Sequence, residues 1–321
     1  NFSTGDEIIT TPRTFIATSS TAVLNGLIPI FAEVDVDSGN ITSKTIEPLI
    51  TDRTKAICVV HIAGWPAEME KICSLAKKYD IKIIEDCSQA HGAKINGKSV
   101  GSFGDVSTWS FCQDKIISTG GEGGMITTNS EDIYDFVISY IDHGKTRKAI
   151  QSNVNKFGYK WLHDRFGNNF RLTEMQSQIG MIQLNKMSIW TKTRERNAYI
   201  LYKKISKINF VRIPMPEKDI QHAWYKFYFY LNRELISPKW NRDKIIKEIN
   251  EQNMPAFHGG CSEIYLENCF KNLGLAPKKR LPIAKELGES SIMLLVHPSI
   301  DKEKMNLYAN IVYEILLRAS I

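Results

Sequence analysis

Two side chains combine reactive chemistry with a telling position. Lys115 follows the β-rich run Val106 to Cys112 and precedes the glycine-dense turn Gly120-Gly-Glu-Gly-Gly124. A lysine between an apolar strand and such a turn is a candidate for burial, which lowers an ammonium's pKa and frees the amine as a nucleophile for Schiff-base chemistry. Asp86 closes the apolar run that begins at Ile81, in the segment Ile83-Ile-Glu-Asp-Cys-Ser-Gln-Ala-His-Gly92. In open α/β sheets ligands gather at the carboxyl ends of strands, and a carboxylate there is costly unless a cation or hydrogen-bond donor meets it. Each residue also has an ordinary reading: Lys115 as a solvated loop lysine, one of 41 basic residues, and Asp86 as a cap on the next turn. Together they are the pair that pyridoxal phosphate needs, an amine for its aldehyde and a carboxylate for its ring nitrogen.

The elements that must position this pair are legible in the hydrophobic pattern. Ala56 to Ile62 is a continuous apolar run of strand length, and Ile81 to Ile84 is another. Between them Met69, Ile72, Cys73 and Ala76 mark one face of a helix. Met125 to Thr128 reads as a short strand, and Ile133, Phe136, Val137, Tyr140 and Ile141 mark a second helical face. Strands alternating with helices predict an α/β fold with a mostly parallel sheet sandwiched by helices. Eight of the 20 glycines lie between Gly92 and Gly124, and none lies between Gly180 and Gly259. A long helical stretch from about Leu172 to Lys204 therefore divides a large domain, residues 1–190, from a smaller C-terminal α/β domain, residues 191–321. Met305, Tyr308, Ala309, Val312 and Leu316 predict an amphipathic closing helix.

Composition narrows the function classes. The chain has 321 residues with a net charge of +6 spread along its length, and no dense Lys/Arg block interleaved with aromatics. That balance suits anionic small molecules, and no nucleic-acid partner is expected. Six cysteines form no CxxC pair; Cys58 and Cys112 are expected as small core residues in a reducing compartment, and no metal site is expected. No run approaches the roughly 18 apolar residues of a membrane span, and no basic-then-apolar leader opens the chain. The expectation is a soluble, cytoplasmic protein without a membrane partner. Gly92-Ala-Lys-Ile-Asn-Gly-Lys-Ser99 matches the phosphate-loop pattern GxxxxGK[ST]. Asn96-Gly97 is, however, a hairpin signal, and no helical period follows, so a β-hairpin is expected there. His143-Gly-Lys-Thr146 lacks the first glycine of that pattern, with Ser139 in its place.

A wider set of segments resembles the DegT/StrS-type sugar aminotransferases. They run in order as GDEIITTPRTFIATSS (Gly5–Ser20), TKAICVVHIAGWPAEM (Thr54–Met69), EDCSQAHGA (Glu85–Ala93), VGSFGD (Val100–Asp105), SFCQDKIISTGGEGG (Ser110–Gly124), HGK (His143–Lys145) and GNNFRLTEMQSQIG (Gly167–Gly180). The resemblance covers nearly the whole chain. It implies the type I fold of pyridoxal-phosphate-dependent transferases, and transfer of an amino group from an amino acid, glutamate foremost, to a keto group of a nucleotide-linked deoxysugar.

The same resemblance implies roles for particular residues. Lys115 would form the internal aldimine and shuttle a proton, and Asp86 would pair with the pyridinium nitrogen. Gln89 would bond the cofactor's phenolic oxygen, Ser110 its phosphate, and Phe15 would lie against its ring. Asn169 would reach the phosphate of a neighbouring subunit, implying a homodimer. Trp65, His163 and His258 are candidates for the sugar, as is the segment Val296-His-Pro298, whereas His61 and His222 are expected to be structural. Some relatives carry His at the position of Lys115 and dehydrate the sugar; lysine here favours transamination, with a sugar dehydratase or a regulatory protein on the same scaffold as alternatives. Relatives also carry a Ser-Gly-Thr-Ala-type turn ahead of GDEIITTP. This chain opens there at Asn1 without Met, and the expectation is that the sequence is incomplete at that end.

Overall fold

The computed structural model describes residues 2–155 and 157–320. The first part of the chain runs β1 (Glu7–Thr10), α1 (Ala17–Leu24), β2 (Ile28–Phe31), α2 (Ser43–Ile46), β3 (Thr54–Val60), α3 (Met69–Lys78), β4 (Lys82–Asp86), β5 (Lys94–Ile95), β6 (Lys98–Ser99), β7 (Val106–Ser110) and β8 (Gly124–Thr128). Then follow α4 (Glu131–Ile141), α5 (Arg147–Ser152), α6 (Glu174–Leu184) and α7 (Met187–Ile205). The remainder is β9 (Val211–Arg212), β10 (Ile220–Gln221), β11 (Phe227–Leu231), α8 (Arg242–Glu251), β12 (Ala256–Phe257), α9 (Asn268–Asn272), α10 (Pro282–Ser290), β13 (Ser291–Leu294) and α11 (Lys302–Ala319).

Six strands make the main sheet in the order β2-β1-β3-β4-β7-β8. The first five are mutually parallel and β8 returns antiparallel beside β7. All but one residue of β3 is buried, as a strand covered on both faces must be. Helix α3 buries Met69, Ile72, Leu75 and Ala76, close to the face its periodicity predicts. A second sheet, β12-β13-β11-β9, is antiparallel. Its core takes Phe227, Phe229, Ile292 and Leu294 together with Ala198 and Leu201 of α7 and Met305, Tyr308 and Val312 of α11. The two halves meet where Tyr230, Ala284 and Leu287 enter the core built on β1, β3 and α3.

Of three local expectations one holds and two resolve differently. Asn96-Gly97 does form a hairpin, both residues with positive φ (49° and 78°), and β5 pairs antiparallel with β6. The phosphate-loop match therefore lies in a β-turn with no helix behind it. The single long helix expected from Leu172 to Lys204 is two, α6 and α7, joined at Asn185-Lys186 through a tight Lys186 N–H to Gln183 carbonyl bond. The two segments answer to different surroundings: α7 buries Arg194, Asn197, Ala198, Leu201 and Ile205, whereas α6 has no fully buried residue. Cys58 is buried, but Cys112 is only half-buried because it sits past the end of β7 in the turn before Lys115. No helix among the described residues is long and apolar enough to cross a membrane.

Candidate active site

Strand pairing brings the two reactive groups to one end of the sheet. β4 and β7 are parallel, with Asp86 opposite Thr108. Asp86 thus ends its strand beside the one that leads, a few residues on, into the turn of Lys115. Asp86 is half-buried and held from two sides: the Thr18 hydroxyl donates to Oδ2 at 2.8 Å and the Ser88 N–H donates to Oδ1 at 3.1 Å. Thr18 lies in the first turn of α1 and is itself bonded to Thr14 at 2.8 Å. Each carboxylate oxygen keeps acceptor capacity for a further donor.

The Lys115 side chain is 17% exposed, with Nζ 3.2 Å from Asp114 Oδ1. Asp114 accepts a second bond from the Tyr225 hydroxyl at 2.6 Å, and the Tyr225 ring lies 5.5 Å from Lys115 Nζ. Burial pushes the Asp114 carboxyl up, but the bond from Tyr225 and the charge of Lys115 hold it below its ordinary value. Tyr225 comes from the second half of the chain, so the lysine is oriented by both parts of the fold.

Behind Asp86 stands a fully buried pair, His61 and Glu85. Nε2 of His61 lies 3.2 Å from Glu85, while Nδ1 accepts the Ala67 N–H at 3.0 Å, which puts the ring proton on Nε2. Glu85 also accepts N–H bonds from Gly101, Phe103 and Gly104 at 2.7–2.8 Å. Burial drives its pKa up, but His61 and these amides outweigh it and hold the carboxyl below its ordinary value. His61, Glu85 and Cys87 form a compact buried group. His61 and Glu85 have their hydrogen bonds taken up by the protein, and burial pushes the Cys87 thiol pKa up, so the group braces the end of β4 and does not offer a ready metal site.

Gln89 Oε1 accepts the Ala63 N–H at 2.8 Å. Its NH2 is therefore the edge left to donate. Ser110 ends β7, half-buried, and accepts the Cys112 N–H at 3.3 Å, which leaves its hydroxyl proton to donate elsewhere. Phe15 is 68% exposed in the turn before α1, an aromatic face with no burial of its own. The donor set fits pyridoxal phosphate: a carboxylate for a ring nitrogen, an amide N–H for a phenolic oxygen, a hydroxyl for a phosphate, an amine, and a free aromatic face.

The other sequence candidates scatter. Trp65 lines the cleft with His222 at 5.5 Å. His163 is exposed in a bridge with Lys145, and His258 pairs with Asp243 at 3.1 Å on the surface of the second half. Asn169 is exposed, bonded to Arg171 at 3.0 Å, amid exposed aromatics. His297 packs close to α7, whose Asn197 bonds its carbonyl at 3.3 Å. Sequence reading missed Thr18, Asp114 and Tyr225. A hydroxyl one helical turn beyond Thr14 was a local signal for the first; nothing local announces Tyr225.

His91 is buried against Trp109 and Phe111, with no well-formed hydrogen bond at either ring nitrogen. Burial first, and the nearby charge of Lys115 second, lower its pKa to about 4. The unfolded chain takes up this proton below its ordinary value of 6.5, whereas the folded chain resists until about pH 4. Stability contributed by neutral His91 is thus fully present above pH 6.5 and lost as pH falls toward 4, on the order of 3 kcal/mol. His91→Asn is expected to flatten the acid limb of a urea-denaturation series between pH 7 and 4; an unchanged slope would show that His91 is not held neutral.

A mostly parallel sheet with an aspartate at one strand's end and a lysine in the turn after the neighbouring strand, joined to an antiparallel sheet, is the architecture of type I aminotransferases. Residues 1–312 match the DegT/DnrJ/EryC1/StrS aminotransferase family. The chain is 38% identical over 301 residues to the dTDP-3-amino-3,6-dideoxy-alpha-D-galactopyranose transaminase of Aneurinibacillus thermoaerophilus, covering 94% of this chain and 76% of that one. It is 32% identical over 303 residues to the GDP-perosamine synthase of Escherichia coli O157:H7, with 94% and 77% covered. Among solved structures, an aminotransferase from Psychrobacter cryohalolentis superposes with a TM-score of 0.96 at 45% identity, covering 99% of this chain and 82% of that one. The chain belongs to the DegT/DnrJ/EryC1/StrS aminotransferase family.

Proposed function

We propose that this chain is a pyridoxal-phosphate-dependent aminotransferase that moves an amino group from an amino acid, glutamate foremost, to a keto group of a nucleotide-linked deoxysugar. The observation that carries the reading is the placement of Asp86 at the carboxyl end of β4, beside the end of β7 that leads five residues on to Lys115, with Asp86 fixed by Thr18 and Ser88. The relatives' substrates support the nucleotide-sugar class. When bound, the cofactor supplies an electron sink for the carbanion left by removing a proton next to the amino nitrogen.

The chain's own groups divide the remaining work. Asp86 would meet the ring nitrogen and favour its protonated form. Gln89 would be the donor for the phenolic oxygen, Ser110 the donor for the phosphate, and Phe15 an apolar face for the ring. Lys115 would supply the amine that holds the cofactor and the group that moves a proton at the substrate carbon. Asp114 and Tyr225 hold its amine between those tasks. Residues 1–190 carry these groups except Tyr225, and residues 191–321 supply Tyr225 and close the cleft, with Trp65 as the best-placed sugar contact; His163 and His258 would take part only through a partner subunit or a moved segment.

A homodimer is part of this reading. Asn169 pairs with Asp142 and precedes exposed Phe170, whose ring meets Tyr140 and through it Phe136, an exposed aromatic surface suited to a second copy, across which Asn169 would reach the neighbour's phosphate. Six free cysteines, two of them exposed, support a cytoplasmic setting.

Purified protein given pyridoxal phosphate is expected to absorb near the visible edge and to lose that band on borohydride treatment, with the reduced cofactor mapping to the Lys115 peptide. A panel of keto nucleotide-sugars with glutamate should then yield an amino sugar. A deoxygenated product would select the dehydratase instead, and no label on Lys115 would leave only a regulatory role.

A further inference from the structure

A second charged group sits beside this site without an acid to meet it. Arg13, in the loop after β1, is 2% exposed. Its Nη1 donates to the Tyr230 hydroxyl at 2.9 Å, and its guanidinium carbon lies 5.1 Å and 5.5 Å from the ring centroids of Tyr228 and Tyr230. Among the described residues no carboxylate pairs with it. A guanidinium stays charged, and the groups that meet this one are two phenols, which carry no formal charge to pair with it.

Arg13 lines a cavity of about 30 Å³ walled by Trp65, His222, Trp224, Tyr228 and Lys226. Asp37, the acid on the rim, is already bonded to Arg212 at 2.7 Å. Lys226 adds a second cation, and its Nζ lies 4.7 Å from the centroid of the Tyr225 ring, which also meets Lys115. Ala63 lines the same cavity and supplies the N–H that fixes Gln89. Ala63 and Trp224 both hold left-handed backbone conformations, φ 56° and 48°. Non-glycine residues in that region are strained, and such strain gathers at ligand clamps.

We propose that this cavity is a carboxylate subsite, in which Arg13 and Lys226 receive an acid group of a substrate. Charge selects an anion, and the cavity of about 30 Å³ has room for a small one. The shape agrees, because a planar guanidinium between aromatic faces pairs edge to edge with a planar carboxylate. Two substrates could bring that group: the amino donor, by its side-chain carboxylate, or a sugar bearing an acid. The inference rests on the proposed function for the reaction it serves, but the anion subsite is read without turnover.

The test titrates the cofactor-loaded protein by tryptophan fluorescence, Trp65 and Trp224 lying in the wall. Glutarate is compared with neutral glutaramide, and UDP-glucuronate with UDP-glucose. Wild type should favour the carboxylate-bearing member of at least one pair by about 10- to 100-fold. The pair that discriminates names the source, donor or sugar. Arg13→Gln should erase the preference and Arg13→Lys should keep part of it. Lys226→Met, at a less buried position, should weaken it even if the Arg13 variants fail to fold. Equal binding of probes with and without the carboxylate to wild type, or equal weakening of both in the folded variants, would overturn the subsite. Borohydride labelling of Lys115 in the same samples reports separately on the aminotransferase reading.

Discussion

Lys115→Ala is expected to reduce amino-group transfer by at least about 10⁴-fold, because the proposed function makes one amine both the attachment point and the proton carrier. The fold should survive. The side chain's one ion pair is to Asp114, which is itself 55% exposed, and pairs of that kind contribute at most about 1 kcal/mol. Asp114 keeps its bond from Tyr225 when the lysine is gone. Lys115→Arg sharpens the result: it preserves the positive charge beside Asp114 but offers no nucleophilic amine at neutral pH, so it should be as inactive as alanine. Amino-sugar formation and a thermal melt, measured on the same preparations, check both halves. Normal turnover in either variant would remove Lys115 from the chemistry.

Asp86→Asn should slow the reaction by about 10²- to 10⁴-fold, again with little change in stability. Asparagine can still accept one of the bonds from Thr18 and Ser88, so the local turn is preserved. What is lost is the negative charge that keeps a ring nitrogen protonated, and with it the capacity to spread carbanion charge. The loss should appear in kcat and in the rate of exchange of the donor's Cα proton, more than in cofactor binding. A variant with nearly wild-type exchange would mean that Asp86 serves only as the cap its bond to Ser88 suggests.

The two variants read different links of the same geometry. Lys115 depends on Tyr225 and so on the packing of the second lobe, whereas Asp86 is braced within the first lobe by the buried His61–Glu85 pair one residue upstream. Disturbing the contact between lobes should therefore affect the lysine before the aspartate.

Much of this was written in short-range patterns. The apolar runs of β3 and β4, the periodic face of α3, the Asn96-Gly97 hairpin and the closing helix α11 depend on residues within a turn or two of each other, so local spacing determined them. The same holds for Asp86 as a strand-end carboxylate and Lys115 before a glycine turn. Tertiary structure decided what no window of sequence contains. Parallel pairing of β4 with β7 set the two reactive groups at one sheet end, and burial of α7 but not α6 broke the expected long helix. The end of β7 left Cys112 outside the core, and Tyr225 closed on Asp114 across 111 positions. Arg13 met Tyr230 across 217 positions, a partnership that arises only when the lobes dock and desolvate that charge. Local pattern fixes which elements form because hydrogen bonding and side-chain period act over a few residues; the environment that gives a lysine or an arginine its chemistry is assembled from groups distant in the chain.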